Sequence, residues 1–195
     1  LFMSRCIDND VSSFWSFKSV KMIKLKLSPE SITVEILNTN NLDRINNFAS
    51  TACKELEAFL KENAWKEQGI GFSKTYLFFH ENNLAGYVTI LNDSQKLSIQ
   101  EIHPKLQQFE TKTNSGYHSI PALKIGRICV SDEYNSQLES SKYKGLGQII
   151  FASVLDHANL LSSKVGFRLI TTHAKKSTED YNWYKKMGFI FTHNE

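Results

Sequence analysis

The run Lys142-Tyr143-Lys144-Gly145-Leu146-Gly147-Gln148 constrains this chain more than any other stretch. It lies between an apolar strand-like run, Ala122 to Val130, and an apolar-periodic helix, Leu146 to Leu161. A strand, a glycine-bearing basic loop and a helix N-terminus together make an anion cradle. The N–H groups of a first helical turn lack intrahelical partners, and the helix dipole favours negative charge beside them. Gly145 and Gly147 let the backbone approach a phosphate closely, and Lys142 and Lys144 add positive charge. Two nucleotide loops are excluded by spacing: no G-x-x-x-x-G-K-[ST] run occurs, and a dinucleotide fingerprint would need Gly or Ala where Ile150 stands. Taken alone, the two glycines are equally compatible with a tight turn carrying solvated lysines.

The pattern around this run predicts an alternation of strands and helices. Ile32 to Leu37 alternates as a first strand, and Leu42, Ile45, Phe48, Ala52, Leu56, Phe59 and Leu60 recur at helical spacing, as one helix or two short ones. Thr75 to Phe79 and Leu84 to Leu91 are β-rich and joined by His80-Glu81-Asn82-Asn83, a hairpin signal. Residues 92–120 are polar, with a short strand near Leu97 to Ile102. Ser131 to Ser141 is a long polar connection expected to form a mobile flap. Leu146, Ile149, Ile150, Val154, Leu155, Ala158 and Leu161 make one helical stripe, and Phe167 to Ile170 begins a buried strand. Ser177-Thr178-Glu179-Asp180 has a helix N-terminus composition; Gly188 should end that helix, before a short strand from Phe189 to Thr192.

At 195 residues the chain can bury one sizeable core. Residues 1–21 lack a clear period, and Met22 before Ile-Lys-Leu-Lys-Leu suggests a domain over 22–195 preceded by an extension of uncertain order. No apolar stretch reaches membrane-span length, and no signal-peptide core interrupts the first residues, so a cytoplasmic protein is expected. Cys6, Cys53 and Cys129 are scattered without zinc-ligand spacing and read as free thiols, with no metal site expected. The net charge of +3 is mild, but lysines cluster: Lys18, Lys21, Lys24 and Lys26, then Lys175, Lys176, Lys185 and Lys186. Most such clusters are solvated faces; the C-terminal pairs best suit a polyanionic substrate.

The loop Lys142 to Gly147 resembles the pyrophosphate loop of the GNAT N-acetyltransferases, Q/R-x-x-G-x-G/A, with Lys at the first position. Roughly forty residues on, Trp183-Tyr184-Lys185-Lys186-Met187-Gly188-Phe189 is similar to the family's aromatic-Tyr-x-x-x-Gly-Phe motif. The likeness is clear from about Ile120 to Phe191 and weaker from Ile32 to Leu91. It implies an α/β fold: a mixed central sheet splayed between the strand before and the strand after the pyrophosphate-loop helix, with helices on both faces. It implies acetyl-CoA as cofactor, bound by Lys142, Tyr143, Lys144, Gly145, Leu146, Gly147 and Gln148, with its pyrophosphate on the N–H groups of Gly145 to Gln148. Its pantetheine arm would lie on the strand edge Ile128, Cys129 and Val130, whose N–H groups would also polarise the acetyl carbonyl. Tyr184 would protonate the departing thiolate. Ser177 stands where the family often has Asn against the pantetheine, and Asp180 where it often has Ala.

No general base is evident. His80, His103, His118, His157, His173, His193 and Glu101 are candidates by chemistry, His173 foremost because it ends the strand lining the implied cleft. A lysine amine, with a pKa of about 10.4, must be deprotonated before attack; an α-amine, at about 7.7–8.0, has a substantial neutral fraction at physiological pH. A site lacking a dedicated base therefore leans toward an α-amine. Tyr117-His118-Ser119-Ile120-Pro121 leading into Gly126-Arg127-Ile128-Cys129-Val130 resembles the matching strand of toxin-type GNAT proteins. That branch implies aminoacyl-tRNA as acceptor and a DNA-binding antitoxin as partner. Ser131, in place of the branch's Asp, and the extended loop to Lys142 depart from it. A small-molecule or protein N-acetyltransferase and a non-catalytic acyl-CoA sensor stay open as alternatives, as does pairing into a homodimer.

Overall fold

The computed structural model describes residues 2–6, 27–96, 119–174 and 178–191. In chain order the strands are β1 (Phe2–Cys6), β2 (Ile32–Ile36), β3 (Lys74–His80), β4 (Asn83–Lys96), β5 (Ser119–Val130), β6 (Leu169–His173) and β7 (Ile190–Phe191). The helices are α1 (Lys54–Glu62), α2 (Ala64–Gly69), α3 (Leu146–Ser162) and α4 (Thr178–Lys186). Two compact units result, one of Lys21–Leu91 with Gly126–His157, the other of Leu1–Val20, Asn92–Ile125 and Ala158–Glu195.

In the first unit β2 and β3 pair antiparallel from Ile32↔His80 to Ile36↔Tyr76, and β3 pairs antiparallel with β4 from Lys74↔Ile90 to His80↔Asn83. The hairpin turn forms where the sequence signals it. Glu81 and Asn82 both take positive φ, 48° and 66°, the two-residue geometry that matches strand twist. One sheet face carries Leu77, Phe79 and Tyr87 against Phe48, Phe59 and Leu60, all buried. Tyr87 is fully buried; its hydroxyl donates to the Leu56 carbonyl at 2.7 Å, and burial raises its phenol pKa.

The helical-period stretch from Leu42 resolves into 3₁₀ turns at Leu42–Asn47 and Thr51–Cys53 before α1 begins. The break near Ser50 has work to do. Ala49 accepts a bond from the Asp132 N–H at 3.1 Å, and Asp132 accepts one from the Thr51 N–H at 2.7 Å, so this stretch holds the segment after β5. Helix α3 buries Leu146, Ile150, Phe151, Val154 and Ala158, while Ile149 and Leu155 of the expected stripe are only half-buried.

In the second unit β5 and β6 run parallel from Ala122↔Leu169 to Ile125↔Thr172. Strand β1, in a segment without a legible period, pairs antiparallel with β6 (Phe2↔His173 to Cys6↔Leu169) and with β7 (Met3↔Phe191, Ser4↔Ile190). Thr171 Oγ1 donates to Asp93 at 2.5 Å and Thr172 Oγ1 to the Ile125 carbonyl at 3.2 Å. Gly188, at φ 85°, ends α4 as expected, its N–H on the Lys185 carbonyl at 3.0 Å. The short strand expected near Leu97 to Ile102 lies outside the described residues.

Candidate cofactor-binding site

The loop is built from the end of β5. The Ser131 N–H donates to the Ala85 carbonyl at 2.8 Å, and Asp132–Tyr134 coil into a 3₁₀ turn that buries Tyr134. The connection expected as a flap is therefore tied down. The Glu133 carbonyl accepts three bonds from the far end of that connection: Lys142 N–H at 2.9 Å, Tyr143 N–H at 3.0 Å and Ser141 Oγ at 3.0 Å. Ser141 Oγ also reaches the Tyr143 carbonyl at 2.6 Å. The chain then turns through Gly145, at φ 96°, into α3. Only a residue without Cβ takes that conformation cheaply.

These bonds sort the donors named from sequence. The N–H groups of Lys142 and Tyr143 are taken by Glu133, and that of Gln148 by the Gly145 carbonyl at 3.1 Å. The consecutive N–H groups of Lys144, Gly145, Leu146 and Gly147 have no partner among the described residues. Four successive donors at a helix N-terminus, folded through a positive-φ glycine, form a nest that suits a phosphate. The Lys142 ammonium sits 2.8 Å from the Glu133 carboxylate, which raises its pKa, and the Lys144 side chain is exposed.

Strand β5 supplies the other expected cofactor contacts. Its pairing with β6 covers Ala122 to Ile125 and does not reach Ile128, Cys129 or Val130. Along that edge these three residues have no partner in β6 among the described residues. The Cys129 side chain is buried, and burial pushes its thiol pKa up to about 12, so it stays protonated and packs as a small apolar group. Arg127 lies with its guanidinium 3.5 Å from the centre of the Phe59 ring and 3.4 Å from Glu67.

Tyr184 lies in α4 at 7 % exposure, its ring edge-on to Phe189 at 5.3 Å and to Trp183 at 4.9 Å. Trp183 is half-buried. Ser177, Lys175 and Lys176 lie outside the described residues, as do His103, His118, His193 and Glu101. Of the remaining histidines, His157 Nδ1 donates to the Ser153 carbonyl at 2.9 Å and His80 is buried against Tyr134. His173 ends β6; desolvation, then the Lys124 charge, lowers its imidazole pKa. Sequence reasoning missed Glu133 and Tyr134, because their contribution is a carbonyl and a ring placed by the fold.

This mixed α/β arrangement, with its glycine loop opening a helix, is the GNAT acetyltransferase fold. Among the solved structures it is similar to are KacT and the toxin AtaT. A tyrosine-to-phenylalanine mutant of KacT superposes with a TM-score of 0.70 at 20% identity, over 85% of this chain and 90% of that one. AtaT complexed with acetyl-methionyl-tRNAfMet gives 0.69 at 19% identity, over 84% and 89%. AtaTR bound with acetyl-CoA gives 0.65 at 20% identity, over 85% and 90%. By sequence, no protein-family model and no curated protein matches the chain.

Proposed function

We propose that this protein is an acetyl-CoA-dependent N-acetyltransferase whose acceptor is the α-amine of aminoacyl-tRNA. The observation that carries the reading is the run of four unpartnered N–H groups from Lys144 to Gly147, on a fold shared with AtaT, whose solved complexes include acetyl-CoA and an acetylated initiator tRNA. The donor set fits the pyrophosphate of coenzyme A, with Lys144 and Lys142 as the charged flank. When bound, acetyl-CoA supplies the activated acetyl thioester.

The protein's own groups then have distinct tasks. The main chain of Ile128 to Val130 holds the pantetheine arm as an added strand would and turns N–H groups toward the acetyl carbonyl. The Tyr184 hydroxyl would hold the proton that the leaving thiolate of acetyl-CoA takes up. The attacking amine loses its proton to water or to a neutral base such as His173. An α-amine needs the least help, because it is already substantially neutral. Exposed Lys185 and Lys186 on α4 suit phosphates of a nucleic-acid acceptor. In the same reading the chain works in the cytoplasm and is held by a DNA-binding antitoxin, as AtaT is by AtaR on DNA.

Isotopic acetyl transfer tests this directly. Charged tRNA should be acetylated with steep salt dependence, and spermidine, free amino acids and a lysine peptide should be poor acceptors. Rapid, salt-insensitive acetylation of a small amine with charged tRNA untouched would reject the tRNA acceptor and leave an acetyltransferase.

A further inference from the structure

We propose that His80 is a positioning residue for the cofactor loop, acting through Tyr134 and Tyr143; this rests on the acetyl-CoA reading above. His80 closes β3 at the hairpin and is 6 % exposed. Its Nδ1 is hydrogen-bonded to the Tyr134 hydroxyl at 2.9 Å, across 54 residues of sequence. Its ring meets Tyr143 edge-on at 4.8 Å, and Tyr143 stacks on Tyr134 at 4.9 Å with 16° between planes. Three rings from a hairpin, a 3₁₀ turn and the loop thus form one cluster. Burial pushes the Tyr134 phenol up to about 12, so it stays protonated as the cluster's hydroxyl.

The cluster ends one residue before the donor run. Tyr143 fixes the main chain entering Lys144, and the Glu133 carbonyl holds the Lys142 and Tyr143 N–H groups from the opposite side. The Lys144 to Gly147 donors are thereby set before any ligand arrives. A loop released from this hold must be ordered on binding, and that entropy is subtracted from affinity. His80, buried beneath the loop, affects the cofactor only through Tyr134 and Tyr143. Packing that served stability alone would change the melting temperature and leave the cofactor affinity of the folded fraction unchanged.

The test uses the full chain with coenzyme A as the probe. Calorimetric Kd and hydrogen exchange of residues 142–148 are measured for the wild type, His80→Ala, His80→Asn and Tyr134→Phe. Tyr134→Phe keeps both ring contacts and removes one hydrogen bond, so it carries the test should His80→Ala not fold. Loss of one such bond should weaken coenzyme A about tenfold and speed exchange in the loop. His80→Asn, whose amide can stand in for Nδ1, should recover part of the affinity. Folded variants that bind as tightly as wild type, with unchanged loop exchange, would overturn the positioning role and leave the cofactor reading intact. A wild type that does not bind coenzyme A would remove both.

Discussion

Gly86 on β4 lies so close to Ile150 of α3 that a Cβ at position 86 would come within 2.9 Å of the Ile150 Cδ1, and equally close to the Cys129 carbonyl oxygen. Helix α3 is thus seated on β4 at a point where only glycine fits. Gly86→Ala should destabilise the fold by about 1–3 kcal/mol through overpacking, because the Cys129 carbonyl belongs to β5 and cannot rotate away. Urea unfolding would show this as a lower midpoint with an unchanged slope.

Gly147 is the glycine on which the proposed cofactor site rests. It supplies the last of the four unpartnered N–H groups. Gly147→Asp adds a side chain and a negative charge where a phosphate would sit. Coenzyme A binding should fall below calorimetric detection while the melting temperature stays within a few degrees. Undiminished affinity would place the pyrophosphate elsewhere.

Tyr184 contributes a proton donor in the proposed reaction. Tyr184→Phe should lower kcat by about 10²–10⁴, the usual range for one acid–base group, with little change in the Kd for coenzyme A. Intact turnover would reduce Tyr184 to a packing role against Phe189.

The Glu57 carboxylate ties α1 to the segment before it. Lys61, the Ser50 N–H and Lys54 together hold its pKa at about 2. A carboxyl depressed in the folded state adds stability above its unfolded pKa of about 4.3 and loses it as pH falls toward 2. Glu57→Gln should therefore be less stable than wild type at pH 7, with the difference shrinking between pH 4.5 and 2. A difference independent of pH would show that the charge contributes nothing.

Much of this protein was written in short stretches of chain. The apolar period of Leu146 to Leu161, the glycine spacing before it, the Glu81-Asn82 turn and the Gly188 helix end are local signals. Each depends on the conformational preference of residues within a turn or two, and each forms where the pattern places it. The turn through Gly145 into α3, the strand ending at Val130 and the helix carrying Tyr184 were legible as elements for the same reason.

Other features were decided between segments far apart. Sequence placed the pyrophosphate on the N–H groups of Gly145 to Gln148. The fold pairs the Lys142 and Tyr143 N–H groups with the Glu133 carbonyl and the Gln148 N–H with the Gly145 carbonyl, and leaves those of Lys144 to Gly147 without a partner among the described residues. It placed patternless Phe2–Cys6 between β6 and β7, a pairing set by main-chain hydrogen bonds that any alternation of side chains can make. It also joined His80 to Tyr134 across the sheet end. A residue's periodicity reports which side of an element is buried. The partner that a buried donor, ring or carbonyl meets there is fixed only when the whole chain packs.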